Sequence, residues 1–231
     1  MINHKNRWGI HFYSDPHFGH DNVIKFCNRP YKDLEEMTAT FIKKYNRVVK
    51  PNDLVIWVGD CFFYYTQQQA LDLMGKLNGR KILVRGNHDL KNKQMMNMGF
   101  DFCTDELVYE IAGERVTVSH YPFLPSFWEN VKWHCFYKWR MKLRGQKTHG
   151  LRYKERRPKN YGQFLIHGHT HNKDRVKGRM IHAGVDAWGD TPVNLNKMAQ
   201  IITDIKECEK KGIKYEELEP TRNKTKREKK K

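Results

Sequence analysis

Lys81-Ile82-Leu83-Val84-Arg85-Gly86-Asn87-His88-Asp89 is a short apolar run that breaks at a glycine and then presents an amide, an imidazole and a carboxylate in succession. Such a run predicts a buried strand that ends in a polar loop. The same arrangement recurs upstream. Leu54-Val55-Ile56-Trp57-Val58 ends in Gly59-Asp60, and Gly9-Ile10-His11-Phe12-Tyr13-Ser14 ends in Asp15-Pro16-His17. Between these runs, Asp33-Leu34-Glu35-Glu36 offers a helix cap and an acidic first turn. Met37, Phe41, Ile42, Tyr45, Val48 and Val49 follow at helical spacing. A second helix is predicted over about residues 66–77. Strand-helix-strand-helix-strand with short links predicts an α/β fold whose strand ends carry the chemistry.

Downstream, Leu107–Ile111 and residues 115–119 flank Ala112-Gly113-Glu114 as a hairpin. Strands follow near 163–167 and 178–183, and a helix over about 195–210. The hairpin ends in Ser119-His120, and the next strand in Gly168-His169-Thr170-His171. Taken singly, Asp15 reads as a turn residue, Asp60 as a solvated strand end and His120 as an ordinary loop or core histidine. Five such strand ends in one chain read instead as a metal site. In an extended segment residues i and i+2 point the same way, so Asp15 with His17, and His169 with His171, are expected to face together. Imidazoles, two carboxylates and one amide make a nitrogen and oxygen donor set without thiolate. It suits Mn²⁺, Fe, Zn²⁺ or Ni²⁺ better than Ca²⁺, with Mn²⁺ favoured.

The ordered set DxH, GD, GNHD, H and GHxH resembles the calcineurin-like metallophosphoesterase superfamily, in its small bacterial and phage-type members, over about residues 9–192. The resemblance implies a four-layer α/β/β/α sandwich holding two divalent transition metal ions. One ion would be held by Asp15, His17, Asp60 and His171. The other would be held by Asp60, Asn87, His120 and His169, with Asp60 as the bridge. Two such ions, roughly 3.5–4 Å apart, activate a bridging water for attack on phosphorus. By the same resemblance His88 stabilises the phosphoryl oxygens or protonates the leaving group, and Asp89 orients the His88 imidazole. Protein phosphatases of the superfamily carry GDxxDRG and GNHE. Here Gly59-Asp60-Cys61-Phe62-Phe63-Tyr64 lacks the Asp-Arg pair and the later motif ends in Asp89, which argues against a protein phosphatase.

The chain has 231 residues and a formal net charge of +17, unevenly distributed. Residues 131–160 hold eleven Lys/Arg against Glu155, and residues 220–231 hold seven against Glu228. The rest is nearly neutral. We read a phosphoesterase domain over 1–215, a basic, aromatic insertion at about 123–160, and a flexible basic tail over 216–231. The insertion falls between His120 and His169, where the members it resembles need only a short connection. Its Trp133, Phe136, Tyr137, Trp139 and Tyr153 interleave with Lys138, Arg140, Arg144, Arg152, Arg156 and Arg157. Cations for phosphates and rings for bases make a nucleic-acid surface, or alternatively a basic lid or protein contact. His20, Asn22 and Arg29 are further candidate substrate contacts, and His167 a supporting group. Phe62-Phe63-Tyr64-Tyr65 either stacks a nucleobase or packs on the next helix.

The five cysteines are an odd, widely spaced set without CxxC, and no apolar run approaches the ~20 residues of a membrane span. A cytoplasmic protein without a membrane segment is expected. The sequence reads as a phosphodiesterase or nuclease acting on nucleic acid or a nucleotide derivative. A phosphomonoesterase on nucleotides or nucleic-acid ends is the alternative, and a catalytically silent nucleic-acid- or protein-binding factor is the alternative of another class.

Overall fold

The structure is a computed structural model, described here for residues 8–126 and 153–215. Three parallel strands form its centre: β1 (Ile10–Tyr13), β2 (Leu54–Trp57) and β3 (Arg80–Val84). Register aligns Tyr13 with Trp57 and Trp57 with Leu83, so all three strands end at one level. β4 (Phe102–Thr104) pairs in parallel with β3, and the antiparallel β10 (Val193–Asn194) closes the other edge. The second sheet has the order β5-β6-β7-β9-β8. It comprises β5 (Leu107–Ile111), β6 (Glu114–Val118), β7 (Phe164–His167), β8 (Val176–Lys177) and β9 (Met180–His182).

Side chains alternate across the first sheet and divide the core in two. Tyr13, Val55, Trp57, Leu83 and Cys103 face the helices α2 (Leu34–Val48), α3 (Gln67–Gly75) and α4 (Asn92–Asn97), which contribute Phe41, Tyr45, Leu73, Met74 and Met95. Phe12, Ile56, Val58 and Val84 face Val116, Val118, Phe164, Ile166 and Ile181 of the second sheet. The last helix, here α6 (Leu195–Lys210), adds Met198, Ile201, Ile202 and Ile205 to that second core. The expected mixed α/β sandwich is therefore present. Asp33 caps α2 by accepting the Glu36 amide at 2.8 Å, and Thr66 caps α3 in a capping box with Gln69.

Short elements escape the periodicity argument: α1 (Asp21–Phe26), α4, α5 (Val185–Trp188), β4, β8 and β10. None exceeds six residues, too few to show a pattern. Of the basic insertion, residues 127–152 lie outside the described residues, as does the tail from 216. The described ends of the insertion meet, because the Leu124 amide donates to the Pro158 carbonyl at 2.9 Å. Among the described residues no helix is long and apolar enough to cross a membrane.

Asp53 fastens the entry to this sheet. Its carboxylate accepts the amides of Gly9 (2.7 Å) and Lys50 (2.8 Å) and lies 3.0 Å from His11 Nε2. Asp53→Ala leaves these donors without partners and is expected to cost about 2–3 kcal/mol, read as a lowered urea midpoint with unchanged slope.

Candidate metal centre

Parallel strands place all their carboxyl ends on one side, and there the loops converge. Asp60 Oδ2 lies 3.5 Å from His17 Nε2 and 3.4 Å from His120 Nε2. On the His17 side, His17 Nε2 and His171 Nε2 face each other at 3.1 Å, with Asp15 Oδ1 3.8 Å from His171. On the other side, His120 Nε2 lies 3.2 Å from both Asn87 Oδ1 and His169 Nδ1. Asp15, His17 and His171 form one group of potential ligands, and Asp60, His120 and His169 another. The structure thus brings together all seven expected ligand residues.

The hydrogen bonds behind the rings show what this arrangement fits. His120 Nδ1 points at the Val58 carbonyl (2.8 Å) and His171 Nδ1 at Asp186 Oδ2 (2.9 Å). Each of these nitrogens carries a ring proton, so in the neutral ring the inward Nε2 offers a lone pair. With these rings neutral, lone pairs of imidazoles, carboxylates and an amide oxygen face one another. Divalent cations satisfy such a donor set. Glycines keep the loops close: a Cβ on Gly86 would stand 2.1 Å from Asp60 Oδ1, and one on Gly168 2.3 Å from Asp15 Oδ2.

The reason for convergence differs from the extended-chain expectation. Asp15, His17, Asp60, His169 and His171 all have positive φ, between 48° and 70°. His169 and His171 do not share a cluster; they divide between the two.

Several supporting residues take places that sequence order did not indicate. Arg29 is 6% exposed and fully engaged: its guanidinium grips both Asp186 oxygens at 2.9 Å and donates to the carbonyls of Pro16 (2.9 Å) and Asp15 (2.8 Å). It is a buried tie and not the substrate contact expected. Asp89 accepts the amides of Asp60 (2.9 Å), Cys61 (2.9 Å) and Gly86 (2.7 Å), so it fastens two ligand loops together. Among the described residues no hydrogen bond joins it to the His88 imidazole, which corrects its assigned role. His88 itself is exposed, donates its amide to Asp60 Oδ1 at 2.9 Å, and holds its ring 5.5 Å from that of His17.

His20 caps α1 beside His17 with a ring separation of 5.6 Å, whereas Asn22 is exposed on α1. His167 turns from the ligands; its Nδ1 meets the Gly168 carbonyl and its ring lies 5.2 Å from His182. Arg156 donates to the Tyr121 hydroxyl at 2.9 Å, and the Tyr121 ring stands 5.0 Å from His120 and 5.2 Å from His169. Arg157 is half-buried, and burial lowers its pKa. Lys138, Arg140, Arg144 and Arg152 lie outside the described residues. Asp186 was missed. Its only sequence signal is an acid following the strand and Gly184-Val185.

The family model for the calcineurin-like phosphoesterase superfamily domain matches residues 10–184, which include every ligand described above. The chain belongs to this superfamily. An uncharacterized protein of Methanocaldococcus jannaschii is 44% identical over 201 residues, covering 84% of this chain and 90% of that one. The Gene 66 protein of Mycobacterium phage L5 is 30% identical over 206 residues, covering 80% and 88%. A crystal structure of a protein of unknown function from Aquifex aeolicus has a TM-score of 0.56 at 25% identity and covers 84% of this chain and 100% of its own. As a calcineurin-like phosphoesterase, the protein is a metal-dependent hydrolase, and the clusters containing Asp15 and Asp60 are candidate divalent-metal sites.

Burial opposes a charge on both His120 and His171. Asp60 outweighs it at His120, raising the pKa to about 9, and Asp186, with Cys27 and Asp15, outweighs it at His171, raising the pKa to about 11. Metal ions bind the neutral ring, so loading this calcineurin-like centre must displace these protons. Proton release on loading at pH 7 is expected, with affinity rising as pH increases from 6 to about 9. Calorimetry in buffers of different ionisation enthalpy counts the protons. Asp186→Asn, which weakens the His171 support, is expected to lower metal affinity about 10–100-fold.

Proposed function

We propose that the protein is a two-metal phosphodiesterase acting on nucleic acid or a nucleotide derivative. The observation that carries this reading is the rim of the site. Tyr121, just before the basic insertion, and Arg156, near its far end, meet each other beside His120 and His169. A segment rich in Lys and Arg is thereby rooted at the candidate metal centre and not at a distance from it. Its cations suit a polyanion whose phosphates continue beyond the scissile bond.

Asp15, His17, Asp60 and His171 would hold one ion, and Asp60, Asn87, His120 and His169 the other. When bound, such ions lower the pKa of a water and offset charge on the phosphoryl oxygens. The remaining work falls to the chain. Asp89 fixes the loops of Asp60 and Gly86, and Arg29 holds the Asp15 loop against Asp186. His88, exposed beside His17, is placed to give a proton to the departing oxygen as a water oxygen bonds to phosphorus and the ester P–O bond breaks. Asn87 contributes an oxygen without adding negative charge, so the centre stays electrophilic toward a phosphodiester.

The Mn²⁺-loaded protein is expected to hydrolyse a chromogenic diester and to cleave DNA or RNA, with an Asp60→Asn control inactive on both. Polymer binding should weaken steeply with salt, by about 0.9 log units per decade for each duplex phosphate neutralised. Turnover confined to phosphomonoesters would overturn the reading. His88→Ala is expected to lower kcat about 10²–10⁴-fold while metal content, measured by elemental analysis, stays at the wild-type value.

A further inference from the structure

We infer that the aromatic face beside His88 is a stacking subsite for an unpaired nucleobase, so that the substrate is a single-stranded nucleic acid. The inference rests on the phosphodiesterase reading above and adds the side of the cleft on which a base lies. The face begins with the loop that follows Asp60. His17 donates its amide to the Asp60 carbonyl (3.2 Å), Phe18 to Cys61 (3.0 Å), and Phe63 back to Phe18 (2.7 Å). The loop bearing Phe62-Phe63-Tyr64-Tyr65 is thus laced to the loop bearing two ligand residues. Its rings are held at a set distance from the reaction.

These four aromatics do different things. Phe62 is buried in the first core and stacks on Tyr65 at 5.5 Å. Phe63 lies flat on the His20 imidazole, with centroids 4.2 Å apart and planes 14° apart, and stands 4.9 Å from His88. Tyr64 is 89% exposed and meets Phe63 edge-on at 4.7 Å and 87°. Phe26, 78% exposed on α1, flanks His20 at 6.4 Å. Packing therefore explains Phe62 but leaves Tyr64 and Phe26 in water.

Tyr64 is also held at φ 56°, a left-handed conformation that bulky side chains avoid. Strain that brings no burial in return is characteristic of a functional position. On the His169 side stands a second tyrosine, half-buried, with the same backbone conformation. Tyr153 has φ 56° as well, and its ring lies 5.8 Å from His169 and 5.4 Å from Tyr121. The two walls differ in chemistry. The His120 and His169 side presents Arg156 on Tyr121, which suits a phosphate. The His17 and His88 side presents exposed rings, and its arginine, Arg29, is buried against Asp186 and turned to backbone carbonyls, which suits a flat, uncharged base. A base within a duplex has both faces covered by its neighbours. Only an unpaired base can offer one to Tyr64 or Phe26.

The test compares kcat/KM for a short single-stranded oligonucleotide with that for methyl 4-nitrophenyl phosphate, a diester without a base. Tyr64→Ala and Phe26→Ala are each expected to lower the ratio of the two values about tenfold, mainly through KM, with Tyr64→Phe restoring it. Labelled single strand should bind wild-type protein more tightly than the matching duplex, and Tyr64→Ala should remove that preference. Equal losses on both diesters, no loss on the oligonucleotide, or equal binding of duplex and single strand would overturn the subsite. A wild-type protein that hydrolyses the small diester but shows none of these base effects would leave the phosphodiesterase reading standing without it. Wild-type protein inactive on every diester would overturn both.

Discussion

Oδ2 of Asp60 faces two imidazole nitrogens, His17 Nε2 at 3.5 Å and His120 Nε2 at 3.4 Å. Negative charge and lone pairs confined this closely repel one another unless a cation or a proton intervenes. Much of the carboxyl end of the sandwich is organised to hold that arrangement. Val58 and Asp186 orient the rings from behind, Asp89 fastens the loops from below, and Arg29 keeps the Asp15 turn against Asp186. These supports are buried or half-buried, where hydrogen bonds meet little competition from water.

The arrangement is strained. Five of the seven candidate ligand residues occupy the left-handed region, at a cost on the order of 1 kcal/mol or more each. The two cores beneath offset that cost. Trp57, Tyr13, Tyr45 and Phe41 pack one side of the first sheet, and Phe12, Phe164 and Ile166 fill the space between the sheets. A stiff sheet with aligned strand ends lets loops adopt conformations they would not hold alone. Tyr64 and Tyr153 extend the same strain to the rim.

Local signals made the long elements legible. Asp33 and the spacing of Met37, Phe41 and Tyr45 marked α2, and the apolar runs marked β2 and β3. The candidate ligands could be picked out for a related reason, since each follows a strand and so must sit at the sheet's edge. Roles that depend on contacts across the chain were not. Asp89 adjoins His88 in sequence, yet its carboxylate turns to three backbone amides. Arg29, by sequence a candidate substrate contact, is instead enclosed by Asp186, 157 positions away.

By itself, the sequence determined the α/β class, the order of the ligand-bearing strand ends and the concentration of positive charge between His120 and His169. Each is a property of neighbouring residues, carried by alternation, helical spacing and charge. Only the tertiary structure decided how six side chains divide around Asp60, which arginine is buried and which faces the rim, and which of four consecutive aromatics remains in water. Those outcomes depend on where distant loops meet. Their backbone turns are set by packing and hydrogen bonds between sheets, which no local pattern encodes.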